Sequence, residues 1–102
     1  MGVRGMSSAE TFLPRSQVYE PVAVLRRGGE ILIVARAGMK ASQRFMILTP
    51  QGEPAWPHEP ISSLSDVAWA LRAHDWHLTT PEPAGPNLRP ARSLARLLSE
   101  RA

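Results

Sequence analysis

Cysteine is absent from this 102-residue chain. Without thiols there is no disulfide framework, no thiolate nucleophile and no thiolate metal site, and nothing calls for an oxidising compartment. Lysine is nearly absent as well: Lys40 stands alone, and the other eleven basic residues are arginine. Arginine stays ionised far above neutral pH, so a high isoelectric point overstates a net charge of only +3. No apolar stretch approaches the roughly 18 residues that a membrane span needs, and no secretory signal opens the chain. The expectation is a cytoplasmic protein with no membrane partner. Glycine-rich phosphate loops, paired carboxylates and linked nucleophile–base sets are also missing, so no catalytic residue, cofactor or metal site is assigned and the protein is read as non-enzymatic.

What the chain does have is two apolar runs that do not alternate, Ile31-Leu32-Ile33-Val34-Ala35 and Phe45-Met46-Ile47-Leu48. Successive side chains of a strand point to opposite faces, so an unbroken apolar run asks for cover on both faces of the sheet. A first strand, Val18 to Arg27, carries Pro21 near its start, as an edge position tolerates. Gly28-Gly29 then supplies the positive φ of a two-residue hairpin turn. The second strand runs from Glu30 to Arg36 and the third from Gln43 to Thr49, giving an antiparallel meander with the second strand in its middle.

Proline recurs through residues 50–60 and rules out helix or central strand there. Ser63, with Asp66 three residues on, then resembles a capping box, and Leu64, Val67, Ala68 and Leu71 follow helical spacing. Trp76 to Thr79 is read as a short fourth strand. A second Pro-rich stretch precedes a last amphipathic helix from Ala91, with Leu94, Leu97 and Leu98 on one side and Arg92 and Arg96 opposite. The expected fold is therefore α+β: a three- to four-stranded antiparallel meander packed against one amphipathic helix, in the order ββ-β-α-β, plus a C-terminal helix. Residues 1–16 are expected to be a flexible tail, 17–80 the domain, 81–90 a linker and 91–102 the terminal helix.

One helix covers one sheet face, so the second face must be shielded by the C-terminal helix folding back or by another protein. Trp69 falls well off the apolar stripe of its helix and is expected to face outward, where tryptophan serves as an interface anchor. Trp56, Leu94, Leu97 and Leu98 complete the candidate partner interface. The Pro54–Pro60 segment, with prolines three apart, fits either a polyproline ligand or a stiff loop on its own domain. His58, Glu59, His74, Asp75 and His77 offer metal-ligand atoms, but their spacing matches no closed site and a structural role explains them.

Arginines gather in two places: Arg26, Arg27, Arg36 and Arg44, with Lys40, at the strand ends, and Arg89, Arg92, Arg96 and Arg101 in the C-terminal segment. Arg26, Arg27, Lys40, Arg44, Arg92 and Arg96 are the candidate nucleic-acid contacts. A meander followed by a helix resembles, in element order only, small domains that lay a three-stranded sheet in the DNA major groove, yet these strand centres are apolar where a groove reader needs polar side chains. The sequence thus favours a binding or accessory module that self-associates as a homodimer or docks a protein partner through an apolar sheet face and the C-terminal helix. The alternative is a DNA-binding regulatory protein using its arginine clusters.

Overall fold

A computed structural model describes residues 19–38 and 43–100 of the chain. The expected N-terminal tail, the loop that holds Lys40, and Arg101 with Ala102 lie outside the described residues. Strand β1 (Glu20–Arg27), β2 (Glu30–Ala37) and β3 (Arg44–Leu48) are followed by helix α1 (Leu64–Ala73), a two-residue strand β4 (Glu82–Pro83) and helix α2 (Arg89–Ser99). The sheet is antiparallel in the order β3-β2-β1-β4. The α+β reading, the meander and the central place of β2 agree with the sequence.

The hairpin closes as expected, with Arg27 paired to Glu30 and Gly28 at φ 60°. That left-handed value at the first central position is the one a type II′ turn assigns to glycine. Pro21 sits at a register shift between Pro21 and Ala23. The extra residue of this bulge lets both Val22 and Ala23 turn into the core. Along the outer side of β3 the Pro-rich segment is pinned to the strand: Phe45 and Ile61 exchange two 2.8 Å backbone hydrogen bonds, and the Ala55 N–H donates to the Ile47 carbonyl at 2.8 Å. A stiff connection therefore blunts this sheet edge, as soluble proteins need.

The core joins Ala23, Leu25, Leu32, Val34, Phe45 and Ile47 of the sheet with Val67, Ala68 and Leu71 of α1 and Ala91, Leu94 and Leu98 of α2. Both helices thus lie on the same sheet face. This corrects the idea of a last helix folding over the second face, and it carries the core past residue 80. Residues 81–90 do not tether a separate helix: Pro81 is buried, Glu82 and Pro83 pair with β1, and α2 begins at Arg89, two residues earlier than expected. Consequently β1 is flanked by β4 at Ala23 and Val24 rather than left as an edge.

The expected strand at Trp76–Thr79 is instead a turn. Asp75 takes a left-handed φ of 65°, and the Trp76 N–H donates back to the Leu71 carbonyl at 2.9 Å. The chain reverses there and drives the Trp76 ring into the core, leaving it 3% exposed. Burying an indole outweighs the little ladder energy that four residues of strand would supply.

The helices run side by side in the same direction. Their N-terminal ends meet where Leu64, Pro90 and Ser93 share one surface depression. At the other end the Arg72 guanidinium donates to the Leu97 and Glu100 carbonyls, the latter at 2.9 Å. Those carbonyls belong to the final turn of α2, where the helix has no partner of its own for them.

Candidate nucleic-acid interface

Helix α2 starts without a side-chain cap at Leu88; instead the Asn87 side chain accepts a 3.0 Å hydrogen bond from the Arg89 N–H, and Pro90 occupies the first turn, where its missing donor costs nothing. This start sets the register of the arginines. Arg89, Arg92 and Arg96 fall at i, i+3 and i+7 and form an exposed stripe, while Ala91, Leu94 and Leu98 are buried on the opposite side. Between Arg89 and Arg96 the helix rises roughly 10 Å.

The stripe borders two adjoining surface depressions that share Asn87, Arg89 and Ser93. One continues along Arg92 and Arg96. The other reaches Arg36 and Gln43 of the β2–β3 end of the sheet. Arg36 and the stripe, far apart in sequence, therefore face one surface, and among the described residues no carboxylate lines either depression. Glu20 is the cross-strand neighbour of Arg36. Among the described residues the ion pairs are Arg26–Glu82 at 3.5 Å and Arg27–Glu30 at 2.7 Å, so neither Arg36 nor the stripe is neutralised by them.

At the start of the helix this placement works against stability, while Arg96 in the last turn suits the dipole. The N-terminal end of a helix carries a partial positive charge, and α2 has no acidic residue in its first turn, whereas Arg89 and Arg92 stand there. Like charges at three- and four-residue spacing repel one another by a few tenths of a kcal/mol each, and the dipole adds a similar cost. A bound anion removes both penalties.

Among the described residues, the remaining arginines are structural or unaligned with the stripe. Arg27 donates to Glu30, to the His74 carbonyl at 3.1 Å and to the Asp75 carbonyl at 2.7 Å, and its guanidinium lies 4.0 Å from the centre of the Trp76 ring. It is a clamp between the hairpin and the turn after α1, so it leaves the set of nucleic-acid contacts. Arg26 is exposed beside Glu82. Arg44 is exposed and donates to the neighbouring Gln43 carbonyl at 3.2 Å.

The candidate partner residues separate in the same way. Leu94 is 0% and Leu98 4% exposed, both within the core, and Leu97 is half-buried against it. Leu94 and Leu98 are spent inside the chain and present no surface to a partner, while Leu97 presents only part of its side chain. Trp56 is half-buried and stacks on His74, ring centroids 3.8 Å apart at 13°. The indole of Trp69 is 65% exposed, as its place on the helical wheel predicts. Among the described residues no group of three His, Asp or Glu side chains comes together to hold a metal ion, and no helix is long and apolar enough to cross a membrane.

Arg89 escaped the candidate set because the helix was expected to begin after it. The signal was nonetheless present: Arg89, Arg92 and Arg96 share one side of a helical wheel once Pro90 is placed in the first turn. Arg36 could be joined to them only by the tertiary fold. Comparison of the chain with protein-family models, with curated proteins and with solved structures finds no match.

Proposed function

We propose that this protein is a non-enzymatic module that binds nucleic acid through the arginine stripe of α2. The observation that carries the reading is the register of Arg89, Arg92 and Arg96, three exposed like charges in one stripe, two of them in the electropositive first turn, facing depressions that among the described residues are lined without a carboxylate. Stability alone does not favour Arg89 and Arg92 in that first turn, whereas a phosphate backbone, with one charge per roughly 1.7 Å of duplex, supplies the matching field. The contacts are made to phosphates and carry no base sequence of their own.

The test is fluorescence anisotropy of a labelled 20-nucleotide oligomer, single-stranded and duplex, against the full chain. Neutralising Arg89, Arg92 and Arg96 together to Gln is expected to remove three phosphate contacts and flatten the duplex salt slope by about 2.7. The wild-type contribution of those contacts falls about 40-fold between 50 and 200 mM salt. Equal affinity for the triple variant, or equal capture of a poly-glutamate chain, defeats the proposal.

A second reading, self-association or docking of a protein through the outer sheet face, is favoured by one observation. Val24, Ile33 and Leu48 align in register across three strands, Ile31 lies two residues further along, and all four are half-buried on the face opposite the helices. Strand spacings of about 4.8 Å and a rise of about 3.4 Å per residue make this patch on the order of 200 Å². A stable interface needs about 800 Å² per partner, so the patch by itself supports only a weak homodimer. Light scattering after size exclusion of wild type and Ile33→Arg measures it. A tight dimer abolished by Ile33→Arg restores this reading to first place.

A further inference from the structure

Three tryptophans occupy different environments. Trp76 is enclosed in the core beneath Arg27, and Trp56 is stacked on His74. Trp69 alone of the three leaves most of its ring open to solvent, 65% exposed, although an indole gains more than almost any side chain from being covered.

Its position connects it to the arginine stripe. On α1, Trp69 points roughly 160° away from both Val67 and Leu71, which pack on the sheet. On α2, Arg89 and Arg96 point roughly opposite to Leu94 and Leu98. Indole and guanidinium groups therefore open on the same outer surface of the two-helix layer. Arg72, one turn after Trp69, fixes the seam between the helices through its bonds to the Leu97 and Glu100 carbonyls. Neighbours three apart on a helix lie about 5–6 Å from each other, so Trp69 is on the turn of α1 adjoining the residue that joins it to the end of α2, the end at which the arginine stripe finishes with Arg96.

We infer that the ligand of this surface is single-stranded nucleic acid, its phosphates on Arg89, Arg92 and Arg96 and one unstacked base on the Trp69 ring. A charged stripe flanked by an exposed aromatic is the combination that proteins use on single strands, because every base has a face to stack whatever its identity. A duplex satisfies only half of this surface. Its bases are stacked inside the helix and out of reach of an indole standing on the helix surface, so the ring would stay wet. The inference rests on the arginine reading and adds to it the state of the strand.

The experiment titrates labelled dT20, a 20-mer uridine RNA and a 20-base-pair duplex with the full chain, its Trp69→Ala and Trp69→Phe variants and the triple Arg→Gln variant, with circular dichroism to confirm that each is folded. Tighter binding of single strands than of duplex is expected, with quenching of tryptophan fluorescence. Trp69→Ala should weaken single-strand binding about ten-fold or more, Trp69→Phe should keep most of it, and neither should change the salt slope. The two single strands distinguish DNA from RNA as the source of the base. Unchanged affinity in Trp69→Ala, or a preference for duplex, with loss of binding in the triple Arg→Gln variant, overturns the single-strand inference and leaves the arginine site standing. Unchanged binding in both variants overturns both.

Discussion

Replacing Arg27 by Ala separates a structural arginine from a binding one. Its guanidinium donates to the carbonyls of His74 and Asp75, pairs with Glu30 at 2.7 Å and covers the Trp76 ring at 4.0 Å. Hydrogen bonds from a charged donor contribute about 1.5–3 kcal/mol each when well shielded. Here the Arg27 side chain is 37% exposed, and water can take over both carbonyls once it is gone, so less than one full bond survives in the net. The ion pair, with Glu30 64% exposed, adds only a few tenths of a kcal/mol. The cation–π contact adds about 0.5–1 kcal/mol. Arg27→Ala is therefore expected to destabilise the fold by about 2 kcal/mol, or roughly 8–16 °C in Tm for a domain of this size. Urea and thermal unfolding followed by circular dichroism measure it. Arg26→Ala is the control, since its 3.5 Å pair with Glu82 is exposed on both sides and should cost under about 0.5 kcal/mol. Stability within about 0.5 kcal/mol of wild type for Arg27→Ala, or lost oligonucleotide binding with stability unchanged, refutes the assignment of Arg27 as a clamp.

Leu94→Ala should cost about 2–5 kcal/mol in urea unfolding and leave the oligomeric state unchanged, because the side chain fills the core rather than an interface. Ser63→Ala removes the hydroxyl that accepts from the Asp66 N–H at 3.1 Å and should lower stability by about 1 kcal/mol, read as a shift of the urea midpoint with the slope unchanged. A chain ending at Thr80 lacks β4 and α2 and uncovers Leu25 and Leu71; it should lose its cooperative thermal transition, and a sharp transition near the full-length Tm contradicts the shared core.

Local signals were strong enough to place most elements. Gly28-Gly29 fixed the hairpin through positive φ, Ser63 fixed the start of α1 through its cap, and the spacing of Val67, Ala68 and Leu71 fixed the buried side of that helix. They failed where a tertiary gain overrode them. Trp76-His77-Leu78-Thr79 reads as strand from its residue types, but the core had room for one indole and the chain turned to deliver it. Arg27 reads as a surface charge until the turn after α1 brings two carbonyls and a ring beneath it. Within the candidate interface, the outward direction of Trp69 and the stripe through Arg92 and Arg96 were legible from helical periodicity. The burial of Leu94 and Leu98 within the chain was one of two alternatives left open, and the sheet face they cover was not legible.

The sequence by itself determined the first three strands, the hairpin turn between the first two and the start of α1, because those choices depend on backbone preference and on side-chain spacing within a few residues. Only the tertiary structure decided that α2 lies beside α1 on one face rather than across the other. That outcome depends on the shapes of Leu94, Leu98, Trp76 and the strand residues meeting together, and on Arg72 reaching the carbonyls at the end of α2. The same packing turned the arginine stripe and Trp69 toward a common surface, since each helix buries its apolar side and must show the opposite one to solvent.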